Sequence, residues 1–369
     1  MKVCHLSSAH EYDNLRIFYK ECCSLSAAGF EVHLVAPDAP NNIVDGIRLY
    51  GNNSIGQSRL RRFTKNLLYI YRQALAIKAD VYHLHDPELL IVGLLLKMKN
   101  KKVIYDAHED IPKDILDKQW IPKKFRRLTS VLYEKLENKI SKYLDLIIVA
   151  NPPTCDRFER IGCKTVNINN YPIIKELING PVRWHTKHNS VCYLGNIGND
   201  RGIYEILAAL EKTNISLLLA GTFESKSQRD QAEAMKGWRN VKELGYIDRP
   251  GVKQVLQESM AGLSILHPIP SYTYALATKM FEYMASGIPV VASNFPLWES
   301  IVNGNQCGIC VDPFNVEQIY QAINWIVSHP DEAQHMGENG KRAILEVYNW
   351  ENESKKLVQS YQDILNEDK

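Results

Sequence analysis

The sequence lacks three patterns, and each absence narrows what the chain can do. No D-x-D pair occurs anywhere in the 369 residues, so we expect no divalent metal held against a diphosphate by such a pair. The G-x-G-x-x-G fingerprint is also missing, which disfavours a nicotinamide dehydrogenase. The longest uncharged apolar run, Leu89 to Leu96, is far too short to span a bilayer.

The eight cysteines form no recognisable framework of disulfides or zinc ligands. They are scattered, and several lie in apolar runs, which is typical of reduced thiols in a cytosol. Cys307 and Cys310 form a C-x-x-C, but a redox pair should open a helix and this pair precedes a turn, so we expect packing. Because the chain enters a predicted strand at Lys2, we expect no signal peptide and a cytoplasmic protein.

The net charge of +2 conceals an uneven distribution along the chain. Residues 1–172 contain 26 Lys and Arg against 19 Asp and Glu, whereas residues 173–369 contain 18 against 23. The first part therefore carries a net charge of +7 and the second a net charge of −5. A basic first half predicts an anionic partner on that side only.

Apolar strand-like runs alternate with helical periodicity along almost the whole chain, which is typical of parallel sheets covered by helices on both faces. The alternation breaks at residues 171–189, where proline, glycine and histidine occur without periodicity, and we interpret this stretch as a linker. The alternation then resumes. The sequence therefore predicts an α/β fold of two Rossmann-like, doubly wound parallel-sheet domains facing a cleft, with ligands at the strand ends.

The segment 278–292 reads T-K-M-F-E-Y-M-A-S-G-I-P-V-V-A and predicts a helix, a glycine turn and a buried strand. Lys279 and Glu282 are three residues apart, so they share one face near the start of the helix. A lysine at a helix N-terminus suits a diphosphate, and a nearby carboxylate can accept hydrogen bonds from ribose hydroxyls. The alternative is a surface ion pair between the two side chains, which is common and weak.

A second segment, 193–203, reads Y-L-G-N-I-G-N-D-R-G-I and leads from a predicted strand through three glycines into a helix. Its candidate binding residues are Gly195, Asn196, Gly198 and Arg201. Backbone amides of such a loop can face phosphate oxygens, and the planar guanidinium group can bind them. The alternative is an ordinary strand–helix turn.

Polar residues follow three predicted strands of the first half, which is where a parallel sheet places its active residues. Because these strand ends share one edge of the sheet, we expect one common site. Any single segment could instead be a capped helix start, with Asp13 as an N-cap or Asp86 before a proline at N1. The candidates are His10, Asp13, Arg16, His85, Asp86, Asp106, His108 and Glu109.

Together these segments resemble family 4 of the glycosyltransferases, whose members have the GT-B fold of two Rossmann-like domains. The resemblance covers nearly the whole chain. It implies an acceptor-binding domain over 1–172, a nucleotide-sugar-binding domain over 173–348, and a terminal helix over 349–369 that packs back on the first domain. The residues on the acceptor side would be His10, Asp13, Arg16, His85, Asp86, Asp106 and Glu109. Its carriers are H-D-P-E at 85–88, Y-D-A-H-E-D at 105–110, R-G-I at 201–203, K-M-F-E-Y-M-A-S-G-I-P-V-V at 279–291 and the Asn349-Trp350 pair.

The resemblance also implies roles for residues on the donor side. Arg201 and Lys279 would hold the diphosphate of the nucleotide sugar, and Glu282 would bind its ribose. The backbone near Tyr246 and Ile247 would contact the base.

Two positions depart from the family pattern. Tyr274 stands where the first glutamate of an E-x7-E arrangement is usual, and Asn196 stands where an arginine is usual. The loop 267–274 would then supply the sugar contacts, and one phosphate contact would be absent.

The resemblance implies a retaining enzyme with the nucleotide-diphosphate sugar as co-substrate and no cofactor, and the missing D-x-D predicts that no metal takes part. The leaving diphosphate then needs fixed positive charge, which Arg201, Lys279 and helix N-terminal amides would supply. His108 would orient or polarise the sugar or the acceptor; alternatively, it only caps the following segment. A sugar-nucleotide epimerase or phosphorylase on the same fold, or a non-catalytic membrane-associated scaffold, stays open as an alternative function.

The basic first half bears on the acceptor. Segments 59–65 and 118–127 mix Lys and Arg with aromatic residues, which suits the headgroup layer of an anionic membrane. We therefore expect a glycan or lipid-diphosphate-linked acceptor in surface-polysaccharide assembly, and an enzyme peripheral to the inner face of the plasma membrane. The alternative is a solvated helix face. Nucleic acid is disfavoured as a partner because no nucleic-acid-binding module is recognisable.

Overall fold

Strands and helices alternate along both halves of the chain, and most of the strands are the apolar runs of the sequence. The computed structural model describes residues 1–52, 65–108, 110–118, 121–177, 184 and 187–366. The chain divides into two units: unit 1 is Met1–Asn170 with Trp350–Lys369, and unit 2 is Tyr171–Asn349. Within the described ranges, no helix is both long and apolar enough to cross a membrane.

The strands of unit 1 are β1 (Lys2–Leu6), β2 (Glu31–Pro37), β3 (Ile43–Val44), β4 (Ile47–Asn52), β5 (Val81–Leu84), β6 (Lys102–Ala107), β7 (Leu146–Val149) and β8 (Thr165–Asn167). They form one sheet in the order β3-β4-β2-β1-β5-β6-β7-β8. Every neighbouring pair is parallel except β3 and β4, which form an antiparallel hairpin.

The helical segments of unit 1 fill the crossovers between these strands, and the chain returns to this unit with its last helix. They are the π-helix Leu15–Cys22, the 3-10 helix Pro87–Leu89, and the α-helices Cys23–Ala27, Leu67–Ile77, Leu90–Lys97, Ile111–Asp117, Lys123–Ser141, Pro152–Arg160 and Trp350–Asn366.

The strands of unit 2 are β9 (Ser190–Leu194), β10 (Ser216–Ala220), β11 (Val241–Gly245), β12 (Ala261–Ser264), β13 (Val290–Ser293) and β14 (Gly308–Val311). They form a parallel sheet in the order β11-β10-β9-β12-β13-β14. The helices are Ile174–Leu177, Ile203–Leu210, Lys226–Glu233, Arg249–Glu258, Pro270–Thr273, Thr278–Ala285, Pro296–Val302, Val316–Ser328 and Pro330–Glu346, with 3-10 turns at Asn199–Arg201 and Lys236–Asn240.

Both faces of the unit 2 sheet are buried. Val191 and Tyr193 of β9 pack into one hydrophobic cluster, whereas Cys192 and Leu194 pack into another. Successive side chains of a strand point to opposite faces, so each cluster covers one face of the sheet. The predicted α/β fold class with two doubly wound parallel sheets is confirmed.

Two local features differ from the expectations. Asn14, not Asp13, caps the first helical segment: its side-chain oxygen accepts hydrogen bonds from the Arg16 and Ile17 amides at 2.9 and 3.1 Å. That segment begins as a π-helix instead of an α-helix. The β3–β4 hairpin was not expected, although the D-G at its turn is a hairpin signal and Asp45 there has a φ of +51°.

Candidate active site

The candidate residues follow strands at the point where each sheet changes direction. In unit 2, β9 lies between β10 and β12, so the chain leaves β9 and β12 towards opposite faces of the sheet. In unit 1, β1 lies in the same way between β2 and β5. Ligands of open parallel sheets bind beyond the carboxyl ends of the strands at such switch points. Each sheet therefore presents its candidate residues at the edge suited to binding.

A tyrosine fixes the helix that carries Lys279 against the sheet of unit 2. Tyr283 Oη accepts a hydrogen bond from the Leu194 amide at 3.1 Å and donates one to the Leu263 carbonyl at 3.2 Å. A Cβ atom on Gly262 would collide with the Tyr283 ring, so glycine is needed there. Lys279 lies one turn earlier on the same helix and is thereby held near the end of β9.

The ammonium group of Lys279 lies at the glycine turn that follows β9. Its Nζ is 3.7 Å from the centroid of the Tyr193 ring and 3.8 Å from the place that a Cβ would take on Gly195, whose φ is +106°. Nζ is buried and has no hydrogen-bond partner among the described residues. Burial, and then the charge of Arg201, lower the pKa of Lys279 to about 7. An unpaired buried cation beside a glycine turn suits an anionic ligand.

Arg201 belongs to the same cluster. Its Nε is 3.4 Å from Glu224 Oε1, and its guanidinium carbon is 5.2 Å from the centroid of the Tyr272 ring. Its positive charge also acts on Tyr193, where it opposes the rise in pKa that burial causes. Tyr193 therefore connects Arg201 with Lys279. The exposed Asn196 takes part through its carbonyl, which accepts a hydrogen bond from Tyr193 Oη at 2.8 Å.

Glu282 does not pair with Lys279, which was the alternative interpretation of their spacing. Its Oε1 accepts a hydrogen bond from Arg249 NH1 at 2.8 Å, so one carboxylate oxygen is engaged by a residue that follows β11. Tyr246 and Ile247 precede this arginine. Tyr246 is almost fully exposed, while Ile247 packs on an apolar cluster of unit 2.

The remaining predicted donor-side residues lie around this cluster. Gly198 faces the carboxylate of Glu224, with no space for a Cβ between them. Tyr274 is about half exposed and ends the short helix Pro270–Thr273.

In unit 1, Arg16 and Asp106 form a buried ion pair that contacts His108. Asp106 is fully buried at the end of β6, and Arg16 grips both of its oxygens, with Nε to Oδ2 at 3.0 Å and NH2 to Oδ1 at 3.0 Å. A third nitrogen of Arg16 donates to the Ile168 carbonyl at 3.1 Å. His108 Nε2 is 3.0 Å from Asp106 Oδ2 and 3.0 Å from His85 Nδ1. The following helix has Asp110 at its N-cap position, so His108 does not cap it.

A second carboxylate, Asp86, organises the loop after β1. Its Oδ2 accepts hydrogen bonds from the Ser7 hydroxyl at 3.0 Å and the Ser8 amide at 2.6 Å. Its Oδ1 is 3.5 Å from His10 Nε2. The His10 ring stacks on the His108 ring with centroids 5.4 Å apart and planes 11° from parallel. The imidazole rings of His10 and His108 are therefore stacked, and each lies next to a buried carboxylate, Asp86 for His10 and Asp106 for His108.

A buried network of imidazole groups is connected to His108 through His85. His5 Nδ1 is 2.8 Å from His85 Nε2, and Tyr361 Oη from the last helix is 2.7 Å from His83 Nδ1. Burial lowers the pKa of His85 to about 4 and holds those of His5 and His83 well below their usual range. Burial, with the nearby charge of Asp106, raises the pKa of Glu21 well above its usual range. These shifts favour the neutral forms of the three imidazoles and of the Glu21 carboxyl group.

Two groups of these side chains offer ligand atoms of the kinds that Zn²⁺ takes, all within 4.8 Å of one another among the described residues. Nitrogens in both groups already lie at hydrogen-bond distance from each other, so a metal would have to displace those bonds. The groups are His5 with Glu21, His83 and His85, and His85 with Asp106 and His108.

Most predicted residues of the first half come together in unit 1. Asp13 does not: it is exposed and joins none of the contacts around Asp106. Glu109 lies outside the described residues. The residues that come together are His10, Arg16, His85, Asp86, Asp106 and His108.

The sequence did not lead us to several residues that contact the candidate residues of unit 1 and unit 2. His83 and His85 are two apart and so share a strand face, and His5 pairs with His83 in the β1–β5 register. That alternation was the available signal. No local signal indicated Tyr361, which is 278 residues from its partner His83. The other missed residues are Glu21, Tyr193, Glu224 and Arg249.

Two family models match the chain. The model of Glycosyltransferase Family 4 matches residues 16–169, and the model of Glycosyl transferases group 1 matches residues 175–343. The matches follow the order of the two units and together span most of the sequence.

Individual known proteins agree with these matches. D-rhamnosyltransferase WbpZ of Pseudomonas aeruginosa is 23% identical over 354 residues, covering 90% of this chain and 87% of the relative. Sucrose-phosphate synthase from Thermosynechococcus elongatus has a TM-score of 0.80 at 19% identity and covers 99% of both chains. Anabaena HepE, solved in complex with UDP, has a TM-score of 0.72 at 14% identity, covering 98% of this chain and 100% of that one. The two structures establish the shared fold. The chain belongs to the glycosyltransferases, with a first half of Glycosyltransferase Family 4 and a second half of glycosyl transferases group 1.

Proposed function

We propose that the enzyme transfers a sugar from a nucleoside diphosphate sugar with retention, and that protein cations instead of a metal ion neutralise the leaving diphosphate. The observation that carries the proposal is the buried Nζ of Lys279, which has no hydrogen-bond partner among the described residues and lies beside Gly195. An unpaired ammonium group is costly to bury. A diphosphate bound during turnover supplies the missing partner.

A diphosphate at this turn would meet three sources of positive potential. Lys279 is the first, and Arg201 is the second, because its contact with Glu224 is long at 3.4 Å and leaves its other nitrogens for phosphate oxygens. The third is the start of the helix Thr278–Ala285, where no side chain caps the free amides. Removing one such group is expected to lower the rate by about 10²–10³.

The remaining donor contacts follow from the position of Glu282. Arg249 engages one carboxylate oxygen, and the carboxylate keeps lone pairs for ribose hydroxyls. The loop with Tyr246 and Ile247 lies next to Arg249 in the sequence and is available to the base. The UDP and UDP-glucose complexes of HepE support a donor of this class, and the name of WbpZ supports transfer of a deoxyhexose or related hexose.

The direct test is a thermal-shift screen with UDP-glucose, UDP-N-acetylglucosamine, GDP-mannose and dTDP-rhamnose. A bound donor raises the melting temperature by mass action, and we expect at least one of the four to do so in the presence of EDTA. Lys279→Met should abolish the shift. Lys236→Met removes a highly exposed lysine of the same unit and serves as the matched control, which should respond like the wild type.

Two outcomes would contradict the proposal. A shift of unchanged size in Lys279→Met would remove the assigned diphosphate site. Turnover that is lost with chelator and returns only with magnesium or manganese would replace the protein cations with a metal ion. The stereochemical part is checked by NMR of the product, since an inverted anomeric configuration excludes retention.

We further propose that the acceptor is lipid-linked and that the enzyme binds an anionic membrane surface through unit 1. The helix Lys123–Ser141 carries large apolar side chains on its exposed face, interspersed with cations. Apolar contact and positive charge on one helix face are the features of an interfacial helix, and each Lys or Arg near an anionic surface contributes about 1 kcal/mol. The exposed apolar residues are Phe125, Leu128, Val131, Leu132 and Leu136, and the cations are Lys123, Lys124, Arg127, Lys135 and Lys139.

The expected membrane segments 59–65 and 118–127 fall partly outside the described residues, so the test uses the helix. The wild type should sediment with phosphatidylglycerol-containing liposomes. The double variant Leu128→Glu with Leu132→Glu should stay in the supernatant. Leu345→Glu is the matched control, because Leu345 is an exposed leucine on a helix of unit 2. Equal binding to neutral and anionic liposomes, or undiminished binding of the double variant, would refute the membrane proposal.

A further inference from the structure

The buried pair of Arg16 and Asp106 is built to hold one carboxylate in one orientation. Two nitrogens of Arg16 occupy the two oxygens of Asp106 at 3.0 Å each, and a third is tied to the Ile168 carbonyl. A bidentate arginine–carboxylate contact fixes geometry as well as charge. Asp106 is fully buried at the end of β6, and the Oδ2 that Arg16 holds lies 3.0 Å from His108 Nε2.

The protonation state of Asp106 follows from the same contacts. Burial alone would raise the pKa of Asp106, but the charge of the Arg16 guanidinium and hydrogen bonds from the His108 and His85 rings hold it well below its usual range. Asp106 is therefore a carboxylate at neutral pH and can only accept hydrogen bonds. The ring nitrogen that faces it at 3.0 Å, His108 Nε2, must be the donor.

This contact determines the tautomer that His108 adopts whenever its ring is neutral. A neutral imidazole that carries its proton on Nε2 has a lone pair on Nδ1. No hydrogen-bond partner of His108 Nδ1 is found in the part of the chain that the structure describes. The stacked ring of His10 restricts rotation of the imidazole, and His85, neutral in its buried position, approaches Nε2 but leaves Nδ1 free of contact.

We propose that Asp106 and Arg16 are positioning residues that hold His108 in its Nε2–H tautomer, so that Nδ1 accepts a hydrogen bond from a hydroxyl group of the sugar or acceptor. The inference rests on the proposed function, since it assigns a contact to His108 in glycosyl transfer. It differs from the expectation that Asp106 and Arg16 themselves contact the acceptor. Both are deeply buried and already paired with each other, and Arg16 Nε also lies 3.0 Å from Glu21 Oε1, so neither is free for that contact.

The first test needs no substrate. Histidine-selective ¹⁵N labelling and two-bond ¹H–¹⁵N correlation spectra distinguish the two neutral tautomers, and the signals that vanish in His108→Ala identify His108. We expect the Nε2–H form in the wild type and a change to the Nδ1–H form in Asp106→Asn, whose amide can donate to Nε2. Glu31→Gln is the matched control, because Glu31 contacts a different histidine, His33, at 2.9 Å. An Nδ1–H tautomer of His108 in the wild type at pH 7, or a ring protonated on both nitrogens, would overturn the proposal.

The second test is a double-mutant cycle on turnover, measured as nucleoside diphosphate release from the donor that binds in the screen, with octyl glycosides and water as acceptors. If Asp106 acts through His108, Asp106→Asn and His108→Ala each lower turnover by about 10²-fold, and the double variant loses no more than either single variant. Losses that multiply in the double variant would show that Asp106 has a separate, structural role and would refute the positioning assignment.

Two further variants keep the outcome decisive. Should Asp106→Asn fail to fold, Arg16→Lys takes its place in the cycle, since lysine keeps the charge but lacks the fork that grips both oxygens. Lys279→Met separates this inference from the proposed function. If Lys279→Met abolishes turnover while His108→Ala does not, only the positioning proposal fails; if Lys279→Met is fully active, the proposed function fails.

Discussion

Donor binding should be coupled to the uptake of a proton by Lys279, and this coupling is measurable. Burial and the charge of Arg201 lower the pKa of Lys279 to about 7 in the ligand-free protein. A bound diphosphate favours the charged ammonium group and raises that pKa again. With a pKa near 7, only about a tenth of Lys279 is protonated at pH 8, so binding takes up about 0.9 proton at pH 8 and about 0.1 at pH 6.

The same argument predicts the pH dependence of affinity. Above the pKa of the free lysine, the association constant for the donor should fall about tenfold for each pH unit, which is about 1.4 kcal/mol, and below pH 6 it should level off. The donor is a suitable probe because the diphosphate of a nucleotide sugar has no oxygen that titrates in this range. Proton uptake on donor binding is diagnostic of the lowered pKa of Lys279, because a lysine with an ordinary pKa would take up no proton near neutrality.

Isothermal titration calorimetry in buffers of different ionisation enthalpy measures the number of protons directly. Lys279→Met should bind weakly and without proton uptake, whereas Lys236→Met, which changes an exposed lysine, should behave as the wild type. Absence of uptake at pH 8 in the wild type would refute the reasoning. Equal uptake by the wild type and Lys279→Met would assign the proton to another group and refute it as well.

Further variants test other parts of the site and the fold. Glu282→Gln should weaken donor binding about tenfold in calorimetry through the ribose, and donor binding of unchanged strength in this variant would contradict the ribose assignment. Gly221→Ala should lower the free energy of unfolding in urea by about 3 kcal/mol or more, because the φ of Gly221 is +144° and the new Cβ would collide with the Gly195 carbonyl. Gly245→Ala is the control: Gly245 has a φ of +66° but open space around it, so this variant should lose only about 1 kcal/mol. Tyr283→Phe should lose about 1–3 kcal/mol, since it leaves a buried backbone amide at the end of β9 without its partner, and an unchanged melting temperature would refute that role.

The donor-side residues could be inferred from the sequence because their positions depend on local structure. Lys279 and Glu282 are fixed by helical spacing, and Gly195 and Arg201 by the turn between a strand and a helix. The partners of these residues could not be inferred in the same way. Arg249 reaches Glu282 across 33 residues, and nothing in either local pattern indicates the contact.

In the first half, too, the sequence indicated where candidate residues lie but not which residues they contact. The sequence placed polar residues after three strands, and parallel pairing brought six of them together around Asp106. The sequence could not indicate that Arg16 turns inward to Asp106, 90 residues away, instead of outward to a ligand. It also contained no sign that a tyrosine of the last helix completes the buried imidazole network.

By itself, the sequence determined the alternation of strands and helices, the two-unit α/β architecture and the segments that carry the chemistry, because these depend on periodicity and on turns a few residues long. Only the tertiary structure decided which candidate side chains bind each other and which stay unpaired. That choice depends on strand order and burial, which bring residues from distant parts of the chain within 3 Å and set the energetic cost of each charge left without a partner.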